Sequence, residues 1–590
     1  MNSHWLQRGL ELVAANDGAG VDAMLFAGGA DAVDREQLAG AYAMARGSAD
    51  KAARHFSAAL ALRPEDVSAH CGLGCALQAM GQLRAAAASF QRAAELAPDC
   101  VEALTGQGEC SLDLGEVEDA RDCFEIALAH APDSLRALCG IGKLMRLSGD
   151  ATGSIRVLRE ALRLSGENAD LHFELGLSLN HADDPKGAKS AYERALAADP
   201  AHLGALVNLG LVYLTQLGEP GRAQQLFETA RAAHPRSVAA QANYGLSLQE
   251  QGRFELALEH YEWLVAQNPQ TVEYRWNRAV AHLYQGDFAR GWPDYELRHT
   301  RGGRDVRRDF GLPEWSGDDP AKRHLLVYGE QGLGDEIMFA SCLPEIARSA
   351  AGVVLECDAR LASIFARSFP GVRVHGAARD GGRDWLQRYP ELDRQVAIGS
   401  LPRLLRRRIE DFPGHGGYLV PDPARIEGWQ QRLAGGDSLV VGLSWRGGTR
   451  KTRAGLRSLE LADCLPWTKA KQCSFVCLQR GDCGDEIAAA RAGGLAMQWW
   501  PEALNDLEES AALIAALDLV ISVDNTVVHL AGALGKPCWT LLASVPDWRY
   551  GLQAETMPWY PALRLFRQTH SRDWPPVVAA VARELAALPL

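Results

Sequence analysis

The chain has 590 residues, 47% of them hydrophobic and 23% charged, which is room for several separately cored domains of ordinary globular composition. Its formal charge is 61 − 74 = −13 at pH 7, and an acidic chain is poorly suited to gripping a phosphate backbone, so no nucleic-acid partner is expected. No uncharged run is long enough to span a bilayer, and the first residues lack the basic-then-apolar order of a secretory leader, so a cytoplasmic chain without stable membrane insertion is expected. The thirteen cysteines are scattered without C-x-x-C spacing, and they read as small buried apolar residues in a reducing compartment.

From the N-terminus, residues 1–32 read as a capping helix pair, and a repeat follows. Helix-stopping residues recur at Pro64, Pro98, Pro132, Gly166, Pro200, Pro235 and Pro269, with steps of 34 residues and a single step of 35. Glycines keep the same phase at Gly40, Gly74, Gly108, Gly142, Gly176, Gly210 and Gly245. Small residues such as Ala52, Ala86, Ala120 and Ala188 follow, then aromatics such as Phe56, Phe90, Phe124, Tyr192, Phe227 and Tyr261. This pattern resembles the tetratricopeptide repeat over residues 33–305: each unit is a helix hairpin, small residues let its helices approach, and the aromatic fills the gap to the next unit. The last unit is atypical, with Gly291-Trp292-Pro293 at the turn, as expected where a repeat array meets another domain. Asn208, Asn243 and Asn277 hold equivalent places on the first helices of three successive units. Carboxamides both donate and accept, so such a row can hold an extended peptide by its backbone. The row resembles the asparagine ladder of nucleocytoplasmic protein O-GlcNAc transferases, although earlier units carry Gly72, Gly106, Gly140 and Glu174 there.

After a linker at 302–319 the pattern changes to alternating β-branched runs and helical segments. A strand is predicted at 324–328, followed by the glycine-rich turn from Gly329 to Asp335 and a helix through 338–347. Further strands are predicted at 353–357, 439–445, 474–479, 517–523 and 537–542. Two such series imply two parallel α/β lobes, with ligands at the carboxyl ends of the strands. Three motifs stand out: Gly329–Asp335; the segment 440–445 with the basic loop 446–453 behind it; and the long run from Asp518 through Asp524, Asn525, Thr526 and His529 to Pro537. The stretch 311–574 is similar to the heptosyltransferase superfamily, glycosyltransferase family 9, in its branch fused to tetratricopeptide repeats.

That resemblance implies a GT-B fold. Its acceptor-side lobe would span 306–425, and its nucleotide-sugar lobe 426–590, the latter ending in a helix that crosses back. It also implies a sugar transferase. Asp335 matches the position of the family's general base, with Glu330 and Glu336 as nearby alternatives and Gly332 and Gly334 on the acceptor side. The helix opening after Asp524 offers unpaired amides to a donor diphosphate, with Asn525, Thr526 and His529 adding side-chain contacts. Asn525 departs from the threonine usual there. The loop 446–453 can neutralise the leaving phosphate, with Arg446, Lys451 and Arg453 as open alternatives. Asp335 and Asp524 also fit a purely structural role as helix caps. With no Asp-x-Asp motif, neither metal nor cofactor is expected beyond the nucleotide-sugar co-substrate. The expected task is transfer of a sugar to serine or threonine hydroxyls of a protein held by the repeats, a flagellin being one candidate. A lipopolysaccharide or lipid-linked acceptor, or a scaffold with a decayed transferase domain, are the alternatives.

Overall fold

The computed structural model describes residues 2–27, 30–301, 307–378, 381–434, 438–448, 454–470, 473–570 and 573–588. The chain divides into two compact units, Met1–Ala240 and Gln241–Leu590, so the division falls inside the helix Val238–Glu250 rather than where the repeat pattern ends.

The first unit is an array of helix hairpins, from the pair Asn2–Ala14 and Gly18–Ala27 onward. The second helices end at Leu62, Leu96, His130, Ser165, Ala198 and Ala233, just before the recurring breakers. Several first helices start on side-chain caps: Asp66 accepts from the Ala69 amide, Asn168 from Leu171 and His202 from Ala205. Each ring bridges two repeats. A Cβ on Gly74 would lie 2.8 Å from the Phe90 ring, and one on Gly106, in the next unit, 2.6 Å from it. In the same way Phe56 bridges Gly40 to Gly72, and Phe124 bridges Gly108 to Gly140. Burying such a ring contributes about 2–3 kcal/mol. The single step of 35 residues has a physical outlet: the helix Leu203–Val212 widens into a π-turn over Tyr213–Leu217 and closes on Gly218 in the left-handed region (φ 69°).

The second unit holds the last repeat helices, Phe254–Gln267, Val272–Tyr284 and Phe288–Tyr295, followed by the 3₁₀ turn Glu296–Thr300. Among the described residues ten strands come next: β1 (His324–Tyr328), β2 (Gly352–Asp358), β3 (Arg373–Ala377), β4 (Arg394–Ala397), β5 (Leu439–Ser444), β6 (Cys473–Cys477), β7 (Met497–Gln498), β8 (Leu519–Val523), β9 (Cys538–Leu542) and β10 (Leu563–Arg567). They form two sheets, ordered β3-β2-β1-β4 and β10-β9-β8-β5-β6-β7. Every pairing is parallel, with registers such as Leu326 opposite Val354 and Leu443 opposite Ile521. Helical repeats followed by two parallel α/β sheets is the expected fold class, and the sheets are compatible with GT-B. Covered on both faces, the central strands are continuously apolar, and Leu519–Val523 is buried throughout.

Two details differ from expectation. The terminal helix, Pro575–Ala587, does not cross to the first lobe. Its buried face (Val577, Val578, Val581, Leu585) packs on β10 and on the helix Trp467–Ala470, and Trp467 Nε1 donates to the Val578 carbonyl at 3.0 Å. Apolar burial beside its own sheet holds it there. The repeat end, in turn, is built into the second unit. Trp292 is 1% exposed, donates to the Arg406 carbonyl of the first lobe at 2.6 Å, and meets Trp548 of the second lobe edge-on with ring centroids 5.5 Å apart.

Candidate functional site

The first-lobe half of the site is set by the turn after β1. Gly329 N donates to the Glu356 carbonyl, Gln331 adopts a left-handed φ of 61°, and the helix Leu333–Phe339 then begins with Gly332 at its N-cap. A non-glycine residue at positive φ carries local strain, which is common at functional turns. Three carboxylates cluster here, and their surroundings separate them. Glu330 is buried against Arg298 and accepts from the Gly399 amide at 3.1 Å. Glu336 is buried and accepts from the Asp358 amide at 2.9 Å. Asp335 alone keeps substantial exposure, 24% of its side chain. Its Oδ2 accepts from the Gly332 amide at 3.0 Å, so it does cap its helix, and its Oδ1 accepts from Arg549 Nη2 at 2.7 Å. Gly332 supplies that amide. Gly334 serves lobe packing, since a Cβ there would lie 2.8 Å from His529 Cδ2.

The second-lobe half forms where β8, β9 and β5 end. Asp524 is 6% exposed and already committed: its Oδ1 accepts from the Tyr550 hydroxyl at 2.7 Å and its Oδ2 pairs with Arg457 at 2.8 Å. Burial raises its pKa, with Arg457 opposing. It is therefore an anchor for a cation, and it does not cap the helix. The cap on Thr526–Ala533 is Asn525, whose Oδ1 accepts from the Val527 amide at 2.9 Å. Its Nδ2 donates to Ser444 Oγ at 2.8 Å and to the Arg446 carbonyl at 3.1 Å. The expected donor contact by Asn525 is thus replaced by a staple between the ends of β8 and β5, and the Val527 amide is already used. Thr526 opens the helix and lines a small apolar slot with Leu478, Leu504 and Leu530. His529 is buried, with Nδ1 3.2 Å from the Tyr560 hydroxyl, and burial drives its pKa down to about 4, with Asp335 opposing. It is neutral at pH 7 and packs against Gly334, so it offers no charge to a phosphate. Arg446 turns away from this point, donating to the Asp482 carbonyl at 3.0 Å and pairing with Glu486 at 3.3 Å. Lys451 and Arg453 lie outside the described residues.

Between the halves stands a residue the sequence reading missed. Arg549 lies on the turn Trp548–Tyr550 after β9 and is 11% exposed. It pairs with Asp547 at 2.8 Å and with Asp335 at 2.7 Å, and its Nη2 also lies 3.4 Å from Gln331 Oε1 and 3.5 Å from the Tyr295 hydroxyl. Burial opposes its charge, but the two carboxylates outweigh burial and raise its pKa. Burial likewise works to raise Asp547, and the Arg549 charge and hydrogen bonds overcome it, leaving that carboxyl below its usual range. The signal available in the sequence was position alone: residues 547–550 follow a strand end, where ligands of parallel sheets gather.

A tetratricopeptide repeat family matches residues 71–134, 112–169, 142–202, 174–216 and 244–303, and glycosyltransferase family 9 (heptosyltransferase) matches residues 474–574. The chain carries tetratricopeptide repeats and a glycosyltransferase family 9 domain. The family 9 match lies in the second lobe, running from β6 past β10. The chain is 36% identical over 327 residues to Protein FlbA of Caulobacter vibrioides, a match covering 52% of this chain and 54% of that relative, so it spans about half the relative's length. Among solved structures, a tetratricopeptide repeat protein from Parabacteroides merdae matches 42% of this chain and 98% of its own at 14% identity, TM-score 0.35. A thermophilic TPR protein from Thermus thermophilus matches 31% of this chain and 99% of its own at 24% identity, TM-score 0.30.

The family 9 domain supports glycosyl transfer, and the repeats support protein interaction. Of the three repeat asparagines, Asn208 belongs to the first unit, and Asn243 and Asn277 to the second. Asn208 Nδ2 donates to the Gly204 carbonyl of its own helix at 2.9 Å. Among the described residues no group of three or more His, Cys, Asp or Glu side chains is placed to hold a metal ion, and no helix is long and apolar enough to cross a membrane.

Proposed function

We propose that this protein moves a sugar from a nucleotide-activated donor to serine or threonine hydroxyls of a protein acceptor, working in the cytoplasm without a metal cofactor. The observation carrying this reading is the meeting of Asp335, at the carboxyl end of β1, with Arg549, beyond the carboxyl end of β9, at 2.7 Å. A base from one lobe and a cation from the other thus face one point, as transfer between an acceptor and an anionic donor requires. The acceptor oxygen attacks the anomeric carbon as the bond from that carbon to the phosphate oxygen breaks. The electron pair leaves on the phosphate, and the hydroxyl proton passes to Asp335. Arginines around the site, together with the loop 446–453, offset the charge that builds on the phosphate.

The protein acceptor is supported by how the last repeat is built in. Tyr295 donates to Gln331 Oε1 at 3.1 Å in the turn that leads to Asp335. A polypeptide held by the last repeat would be delivered beside that turn, and a flagellin is the candidate acceptor. The test is intact mass measurement of the abundant proteins, flagellins included, in source cells carrying wild type or Asp335→Asn. One protein losing a sugar-sized mass in the variant supports the proposal. A change confined to lipopolysaccharide would move the reaction to a lipid-linked acceptor, and no change anywhere would leave the domain without a transferase role.

A further inference from the structure

Both oxygens of the Asp335 carboxylate are engaged in the structure described. One carboxylate oxygen caps its own helix and the other is held by Arg549. The neighbouring cations are differently placed. Arg457 is bound to both the carboxylate and the carbonyl of Asp524. Arg567 donates to the carbonyls of Tyr550, Gly551 and Ala554, and so clamps the loop that carries Arg549. Arg549 differs in bridging residues of both lobes; its Nε, like that of Arg567, is buried without a partner among the described residues. The Gln331 Nε2 is a second buried donor without a partner, and its carboxamide lies against the same guanidinium. Each buried donor left unpaired is costly unless an acceptor arrives. A guanidinium fork matches a phosphate as well as it matches a carboxylate.

We propose that Arg549 is a donor-controlled latch: it holds Asp335 in the free protein and exchanges that carboxylate for a phosphate of the incoming nucleotide-sugar, releasing the base only once a donor is bound. This rests on the transferase reading above and deepens it. The exchange keeps the buried guanidinium paired throughout, and Asp547 stays as its fixed anchor at 2.8 Å. The base then becomes competent in the same movement that readies the leaving group. Without donor, Asp335 activates neither water nor acceptor.

The test is carboxyl labelling of the full chain with a carbodiimide and an amine, read by peptide mass spectrometry, with inorganic pyrophosphate as the probe. Saturation is established separately by calorimetry. Labelling of Asp335 should rise several-fold on pyrophosphate binding, while the exposed Asp50, which pairs with Arg54, stays unchanged as the internal control. Arg549→Gln should label at Asp335 without pyrophosphate, show no further rise, and bind pyrophosphate at least about tenfold more weakly, since a charged hydrogen bond is lost. Should Arg549→Gln fail to fold, the wild-type pair of measurements still decides. Pyrophosphate that does not bind, or that binds and leaves Asp335 labelling unchanged or lower, overturns the latch. Neither measurement needs turnover. Unmasking without sugar transfer would sink the transferase reading and keep the latch, and transfer without unmasking would do the reverse.

Discussion

Replacing Arg298 with methionine should loosen the turn before Asp335. Arg298 is 1% exposed and Glu330 3%; Arg298 Nη2 lies 2.7 Å from Glu330 Oε1, and its Nε reaches both carboxylate oxygens, at 3.1 and 3.2 Å. The same guanidinium pairs with Glu296 at 2.8 Å and donates to Ser400 Oγ at 2.7 Å. Methionine fills much of the volume but leaves Glu330 charged and buried, with the Gly399 amide and His299, 3.6 Å away, as its remaining polar neighbours among the described contacts. Removing one partner of a buried pair costs about 3–5 kcal/mol, most of it the penalty on the charge left behind. The loop 329–335 has that charge as its inner anchor, so the loss should be local first. In hydrogen–deuterium exchange, peptides covering 329–339 should lose protection by about a hundredfold or more, tenfold per 1.4 kcal/mol. Peptides of the first unit, such as 101–114, should be unchanged. The double variant Arg298→Met with Glu330→Gln removes the orphaned charge and should recover most of the loss. The reasoning is wrong if the single variant keeps protection within about threefold of wild type, or if the double variant is as exposed as the sum of two singles.

Phe90→Ala should destabilise the first unit by about 3–5 kcal/mol, because the ring is fully buried between two repeats; urea unfolding followed by helical circular dichroism measures it, and a shift under about 1 kcal/mol would contradict the bridging role. Asn525→Ala removes the cap on Thr526–Ala533 and the staple to β5, for a cost of about 1–2 kcal/mol. Asn525→Asp keeps the cap but not the staple, so its thermal midpoint should fall between those of wild type and Ala; equal midpoints for Asp and wild type would assign the staple no weight. His529 is held near pKa 4, below its ordinary 6.5. The folded state thus binds fewer protons than the unfolded one between these values, so the stability this group contributes is full above pH 6.5 and is lost as pH falls toward 4. The loss approaches about 3 kcal/mol at the acid end. His529→Gln should flatten that part of the stability–pH curve, and matching slopes for variant and wild type would refute it.

The repeat array was legible because its physics is local and periodic. Glycine, alanine, aromatic and breaker recur at fixed phase, and each contact joins neighbours in sequence. Even the irregular step of 35 had a cause in one place, the π-turn at Tyr213–Leu217. The central strands were legible as apolar runs. Those overlooked are short or flanking: β7 has two residues, β4 has four, β3 is partly exposed along its length, and β10 lies at the edge of its sheet. The terminal helix was misplaced because apolar residues at helical spacing tell which face is buried and not which lobe buries it.

The site divides along the same line. Asp335 was found because strand, turn and helix fix it within a dozen residues. Its partner Arg549 is 214 residues away, and nothing in a local window links a turn after β9 to a turn after β1. The donor-site reading of Asp524, Asn525 and His529 came from a valid premise, that a helix N-terminus offers amides to an anion. That premise counts backbone groups and leaves out what the side chains between them already hold. Asn525 spends its oxygen on Val527 and its nitrogen on Ser444 and the Arg446 carbonyl, Asp524 is taken by Arg457 and Tyr550, and burial keeps His529 neutral. With those commitments counted, the latch proposal assigns the role of the helix to Arg549, a cation paired with residues of both lobes. On that proposal Arg549, rather than the helix start after β8, is the group whose bond changes when an anion enters.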